Sequence, residues 1–276
     1  MIAPKFTIQQ GKQVISKKAR KPIKTDGAIL WEGKSAIDGA NIVVIINNMV
    51  KPSGNRKTGD MAQTYILRTD MKPIQAVVSG QDRSICGDCP HRPSLAKNNG
   101  QARCYVNTGQ GANSVYGAYI RGSYPRLSVS EIAHLIKNKE IRFGTYGDPM
   151  AAPLQLWFEL AENCRKFTGY THQWKTVNSQ DAILWASIVM ASTDSDIETM
   201  EAMKMGFRTF QVKIGNRELN SNQIFCPASN EGGNKTQCNR CLLCGGTSVK
   251  AKNIVIMDHG IGWQSREKKY FANLNK

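Results

Sequence analysis

Three cysteines at two successive x2 spacings, Cys238, Cys241 and Cys244, follow an upstream Cys226-Pro227, so four thiolates are available to one metal centre. Repeated x2 spacing with a remote Cys-Pro is the ligation logic of a ferredoxin-type [4Fe–4S] cluster, although here the Cys-Pro comes first. Tetrahedral zinc also accepts four thiolates, usually as two x2-type pairs, and both metals stay open. Gly232, Gly233, Gly245 and Gly246 allow the backbone to wrap around an ion. A second set, Cys86, Cys89 and Cys104, offers three thiolates. Three protein ligands leave a position for water or substrate, whereas a fourth closes the site into a structural knuckle. His91, Asp88 and Cys164 are candidates for that fourth place. Cys164 shares a predicted helical face with Trp157 and Ala161, where a thiol also serves as a small buried hydrophobe.

Other polar groups stand at the predicted carboxyl ends of strands, where α/β proteins gather their chemistry. Asp148 in Gly147-Asp148-Pro149 is a candidate base or binder of a substrate amine or hydroxyl, and equally a turn former. His172 is a candidate acid, base or ligand beside Tyr170 and Trp174, or a hydrogen-bonded core histidine. Asp194 reads as the N-cap of the following helix. Arg83, Arg92 and Arg103, set among the cysteines, are candidates to hold an anionic substrate, and Tyr146 to stack on a base. Several chemistries are excluded. No His-x-Glu precedes a Pro-Cys-x2-Cys, as zinc deamination of nucleobases requires, and no Gly-x-Ser-x-Gly elbow or Gly-rich phosphate loop occurs.

The elements that must position these residues follow from patterning. Ala28 to Trp31, Asn41 to Ile46 and Gln63 to Leu67 read as strands separated by turns, with Ile74 to Val78 as a fourth leading into the first cysteines. From Ser128 helix and strand alternate. Ser128-Val-Ser-Glu131 is a capping box opening a helix to about Asn138, and Ile141 to Tyr146 is a strand. Leu154 to Lys166 carries one apolar helical face. A short strand at Tyr170 to Trp174, a helical turn near Gln180, a strand at Ala186 to Ala191, a helix at Asp194 to Met205 and strands at Phe207 to Lys213 and Asn253 to Met257 follow. Such alternation predicts parallel βαβ units and an α/β fold: a partial βα barrel with an antiparallel N-terminal subdomain and a cysteine-ligated loop near the C-terminus. The expected organisation is a basic arm at 1–24, a strand-rich subdomain at 25–80, the partial barrel at 81–260 and a polar tail at 261–276.

The 276 residues are 41% hydrophobic and 21% charged, a globular composition long enough to bury a core without disulfides. No apolar run approaches the roughly 18 residues of a membrane-spanning helix. The N-terminus has no apolar signal-peptide core, so a reducing cytosol is expected, where cysteines serve as ligands or reactive thiols. Thirty-seven Lys+Arg against 21 Asp+Glu give a formal charge of +16, which attracts polyanions and points to nucleic acid or a nucleotide as partner. The arm holds Lys5, Lys12, Lys17, Lys18, Arg20, Lys21 and Lys24 before the first acidic residue, Asp26.

Taken together, Cys86-Gly-Asp-Cys-Pro-His-Arg92, Cys104-Tyr-Val106, Gly144-Thr-Tyr-Gly-Asp-Pro149, Gly206-Phe-Arg-Thr-Phe210 and Cys226-Pro-Ala-Ser229 before Cys238 resemble a cysteine-rich family of bacteriophages and mobile elements. The resemblance covers most of the chain. It implies a phage-type protein in the cytoplasm of a bacterial host and gives weight to the cysteines, without an activity. More distantly, the chain resembles radical-SAM enzymes, partial βα barrels with a three-cysteine cluster after the first strand. That likeness implies that Cys86, Cys89 and Cys104 hold an iron–sulfur cluster and that Gly147-Asp148-Pro149 holds the amine of S-adenosylmethionine. Base-exchanging transglycosylases, barrels with a structural zinc and catalytic aspartates, are a third likeness, with Cys238, Cys241, Cys244 and His259 in the place of that zinc site. The functional alternatives are therefore a metal-dependent enzyme on nucleic acid or a nucleotide and a non-catalytic, zinc-stapled nucleic-acid-binding protein.

Overall fold

The structure, a computed structural model, describes residues 24–93, 104–259 and 262–274. Arg103 and all of the basic arm except Lys24 lie outside the described residues. Among the described residues nine strands form one sheet: β1 (Ala28–Lys34), β2 (Asn41–Asn47), β3 (Ala62–Arg68), β4 (Glu140–Tyr146), β5 (Lys166–Thr171), β6 (Met190–Thr193), β7 (Thr209–Lys213), β8 (Gln223–Phe225) and β9 (Asn253–Met257). Their order is β1-β2-β3-β4-β5-β6-β7-β9-β8. The β1–β2 and β2–β3 pairs are antiparallel and every later pair is parallel, so the mixed α/β class is as expected. Strand β2, the run Asn-Ile-Val-Val-Ile-Ile-Asn, is apolar at consecutive positions because both of its faces are covered.

From β3 to β7 each parallel strand lies beside the one before it in sequence, with helices in the crossovers: α3 (Asn113–Ile120) and α4 (Val129–Ile136) before β4, α5 (Leu154–Asn163) before β5, α6 (Ser179–Ile188) before β6 and α7 (Asp196–Lys204) before β7. Two short helices, α1 (Pro73–Ser79) and α2 (Arg83–Cys86), stand between β3 and the first cysteine loop. The main core joins the helices to β1 through β6, with Trp157 of α5 against Phe143 of β4 and Phe143 stacked on Phe167 of β5. A second apolar cluster is built from Tyr170, Met190, Phe210, Val212, Ile254 and Ile224 together with Cys226, Leu243 and Cys244, so the second cysteine loop covers part of the sheet itself.

Two sets of contacts join distant parts of the sheet. Tyr105, in the loop after β3, donates to Asp258 Oδ1 (3.3 Å) and stacks on His259 at the end of β9, with ring centroids 4.0 Å apart. On the cysteine loop, Cys238 N donates to Lys57 O (2.9 Å) and Asn239 N to Thr58 O (3.1 Å), tying the β8–β9 connection to the turn that enters β3. The last helix, α9 (Trp263–Leu274), gives a helical form to the polar tail and is anchored by Arg266, which donates to both carboxylate oxygens of buried Asp258 (2.5 and 2.9 Å).

Several boundaries differ from the sequence reading. Ile74 to Val78 belongs to α1 and not to a strand: Pro73 occupies its first turn, Gln75 closes a capping box onto Lys72, and Gly80 ends it at φ 77°. The helix opened at Leu154 stops at Asn163, leaving Lys166 to start β5, and Trp174 sits in a 3-10 turn after it. The turn near Gln180 is the ten-residue α6, N-capped by Asn178, which displaces the next strand to Met190–Thr193. Helix α7 is capped by Ser195, whose side chain accepts from Glu198 N (3.1 Å), and not by Asp194.

Candidate active site

The first cysteine loop is held by Arg92. This buried guanidinium donates to Asp82 Oδ1 (3.1 and 2.7 Å), Gly80 O (2.5 Å) and Gly87 O (3.2 Å), so it fixes the loop that it was expected to equip for substrate. Gly87, at φ 56°, passes against Gln173, and a Cβ there would collide with the Gln173 amide. Gln173 Nε2 also donates to Cys86 O (3.1 Å). The loop is thereby pressed onto the end of β5. Arg83 lies on the surface and donates to Asp88 Oδ1 (3.2 Å), itself an exposed carboxylate.

Cys86, Cys89 and Cys104 lie within electrostatic reach of one another. Burial first, and then the charges of Cys89 and Cys104, push the Cys86 thiol well up; burial pushes Cys104 up to about 11. Tyr146, at the end of β4, is raised by burial and then by Cys86, Asp82 and Cys104, which places its ring beside this set; its hydroxyl is buried without a hydrogen-bond partner. Cys164 is elsewhere, at the C-cap of α5, where its thiol faces Lys166 O (3.4 Å) at the opposite, N-terminal ends of the strands.

Asp148 lies on the same rim as the cysteines, with its amide donating to Ile85 O (2.6 Å). Its carboxylate accepts from Met150 N (3.0 Å), Thr171 Oγ1 (3.0 Å) and His172 N (2.8 Å). The geometry is that of a turn former that also pins the end of β5, and burial raises its pKa despite those bonds. What it pins is His172. That imidazole stands with His91 and Asp194 in the one group of three possible ligand atoms, among the described residues, that lie within 4.8 Å of one another. His91 Nε2 contacts Asp194 Oδ1, and His172 Nε2 is 3.4 Å from Asp194 Oδ2. Burial alone would lower His172, but the Cys89 charge and the contact with Asp194 outweigh it and raise it to about 10. Asp194, which burial would raise, is held well below the carboxylate range by His172 and His91.

The second set is assembled from four places. Cys226 N donates to Val255 O of β9 (2.8 Å), Cys238 N to Lys57 O, Cys241 lies in the short α8 (Cys238–Cys241), and Cys244 O accepts from Gly169 N of β5 (3.1 Å). Arg208 gathers the loop's carbonyls, donating to Leu243 O (2.7 Å) and Gly246 O (3.0 Å). Burial, and after it the charges of Cys226, Cys238 and Cys241, push Cys244 up to about 12 against the lowering effect of its hydrogen bond with Tyr170. Four soft thiol donors with their backbone anchored on three sides suit a thiophilic metal. Among the described residues, neither cysteine set forms a group of three ligand atoms as tight as that of His91, His172 and Asp194.

The role of Asp194 was missed by sequence reasoning, which assigned it the cap. Ser195 three residues before Glu198 is itself a capping signature, and it releases the aspartate to face His91 and His172. Compared with protein-family models, with curated proteins and with solved structures, the chain matches none.

Proposed function

We propose that the protein is a metal-dependent enzyme acting on nucleic acid or a nucleotide, with a thiolate centre formed by Cys86, Cys89 and Cys104 at the carboxyl ends of a βα sheet curved as a partial barrel. The observation that carries this reading is convergence: the three-cysteine loop and the polar ends of β4, β5 and β6 meet on one rim, where α/β enzymes keep their chemistry. Sequential strand order supports the curved form, and so does the contact of Tyr105 with the end of β9. Cys226, Cys238, Cys241 and Cys244 hold a second centre against the sheet. Iron–sulfur ligation is preferred to zinc in both. The repeated x2 spacing of Cys238, Cys241 and Cys244 with an upstream Cys226-Pro227 supports that preference. Asp148 is a positioning residue in this reading, since its carboxylate is committed to the turn.

The test is anaerobic purification of the full chain with iron, sulfide and zinc analysis, followed by titration with nucleoside triphosphates and with DNA and RNA oligonucleotides. Iron with acid-labile sulfide is expected. The triple variant Cys86→Ser/Cys89→Ser/Cys104→Ser should lose one centre and keep the other, with ligand binding or turnover impaired. Zinc alone, with unimpaired nucleic-acid binding in the triple variant, would make the protein a stapled binding module instead.

A further inference from the structure

We infer that His91, His172 and Asp194 form a site for one divalent transition-metal ion of the Fe2+, Co2+ or Zn2+ class, separate from the thiolate centre and beside it. The three side chains come from the first cysteine loop, the end of β5 and the end of β6, and their ligand atoms lie within 4.8 Å of one another. Cys89, although close to His172, is not a member of that group. The spacing suits an ion. With metal–nitrogen and metal–oxygen bonds of about 2.1 Å, neighbouring ligands stand about 3.0 Å apart in an octahedron and about 3.4 Å apart in a tetrahedron. His172 Nε2 and Asp194 Oδ2 are 3.4 Å apart, whereas His91 Nε2 and Asp194 Oδ1 touch directly and would part to admit the ion.

Burial gives the second argument. His91 is 5% exposed, and the His172 and Asp194 side chains are 16% and 13% exposed. His172 Nε2 is shielded from solvent and stands 3.4 Å from Asp194 Oδ2, longer than a good hydrogen bond, so an ion bound between the two would meet donors that are already desolvated. The donor set supplies the chemistry: two imidazoles and one carboxylate suit borderline divalent ions and leave positions open for water or substrate, whereas the neighbouring thiolates select softer centres.

The supports are those of a ligand site. His172 is set by its amide bond to Asp148 Oδ2 (2.8 Å), and Asp194 by its amide bond to Glu198 Oε2 (2.9 Å). His91 is set by its carbonyl, which accepts from Cys104 N (3.0 Å), and by the Arg92 anchor that follows it. Such outer contacts orient metal ligands and tune their affinity. The ion would thus sit between the thiolate loop and the ends of β5 and β6, independently of which metal the cysteines hold.

The experiment is Co2+ titration of the anaerobically purified full chain after chelator treatment, read by metal analysis and visible absorption, for the wild type, His172→Gln, Asp194→Asn and Cys89→Ser. The wild type should bind one Co2+ whose spectrum is of nitrogen–oxygen type, without sulfur-to-cobalt charge transfer. His172→Gln and Asp194→Asn should weaken that ion by more than the roughly 10–100-fold that outer-shell changes cause, while thiolate-bound metal is kept. Cys89→Ser should leave it in place. The inference is overturned if the only Co2+ bound shows sulfur charge transfer, if the His172 and Asp194 variants bind as the wild type does, or if the nitrogen–oxygen signal disappears in Cys89→Ser alone. Should the first two variants not fold, Zn2+ protection of the wild-type histidines against diethyl pyrocarbonate reads the same site; unprotected His91 and His172 would equally overturn it. Loss of the thiolate centre with this signal intact would count against the proposed function and not against this site.

Discussion

At the scale of single residues, Cys164 stands apart from the seven cysteines of the two sets in place and not in acidity: its half-buried thiol at a helix end is pushed up to about 12, as is that of Cys244. Its thiolate is therefore scarce at pH 8, and alkylation should be on the order of a thousandfold slower than for an ordinary cysteine of pKa about 8.5. Mass spectrometry of iodoacetamide-treated, metal-free protein checks this, and Cys164→Ala should leave metal content unchanged; prompt labelling of Cys164 would contradict the assignment. Asp194 gives a pH dependence. In the metal-free protein its carboxyl binds a proton less readily than in the unfolded chain, where it titrates near about 3.9. Its contribution is thus present above that pH and lost as pH falls through the acid range. Urea unfolding between pH 6 and pH 3 should show a steeper loss for the wild type than for Asp194→Asn; parallel curves would exclude a native-state pairing of Asp194. The cysteines stood out in the sequence because Cys238, Cys241 and Cys244 follow one another at x2 spacing. The histidine–aspartate group was not, because its members are drawn from three separate segments and no spacing links them.

At the scale of elements, the strands and helices with a clear period or cap were readable, and those whose punctuation had two meanings were not. Ser128 and Glu131 form the expected box, with Ser128 N donating to Glu131 Oε2 (2.9 Å). Ile74 to Val78 looked like a strand because β-branched residues dominate it; Pro73 and Gly80, which frame a helix, decided otherwise. The start of α7 carries a functional consequence. Ser195 caps the helix while Glu198 reaches back to the amide of Asp194, so one turn of helix both begins the element and aims the carboxylate. Ser195→Ala should cost about 1 kcal/mol of stability and also weaken the metal held at Asp194. Chemical denaturation and Co2+ titration measure the two effects; a stability loss with unchanged Co2+ affinity would show that the cap and the site are uncoupled.

At the scale of the whole molecule, a formal charge of +16 requires either a polyanion or a purpose as a solubility device. If phosphate contacts carry the binding, log K against log salt should fall with a slope near −0.9 per neutralised phosphate for duplex DNA and about −0.7 for single strands. Fluorescence anisotropy at several salt concentrations measures it, and binding that is flat with salt, or absent at low salt, would remove nucleic acid as the partner. The parallel pairing was inferable because alternating elements favour neighbouring parallel strands; the out-of-sequence β7-β9-β8 edge and the ties across the sheet, from Tyr105 to Asp258 and from Cys238 to Lys57, depend on tertiary placement that no local pattern encodes. One of these long reaches has a temporal side. His91 and Asp194 are 103 residues apart in sequence, and their contact closes only when β4, β5 and β6 have all been laid down beside β3. Contacts of such separation form late, after the loop entropy between them has been overcome. A chain emerging from synthesis can already gather Cys86 and Cys89, but it has no imidazole–carboxylate pair until more than two-thirds of its length has been made. Occupancy of that pair is therefore a timestamp on folding, and an ion found there in a pulse-labelled nascent chain would mark a molecule whose sheet has already closed past β6.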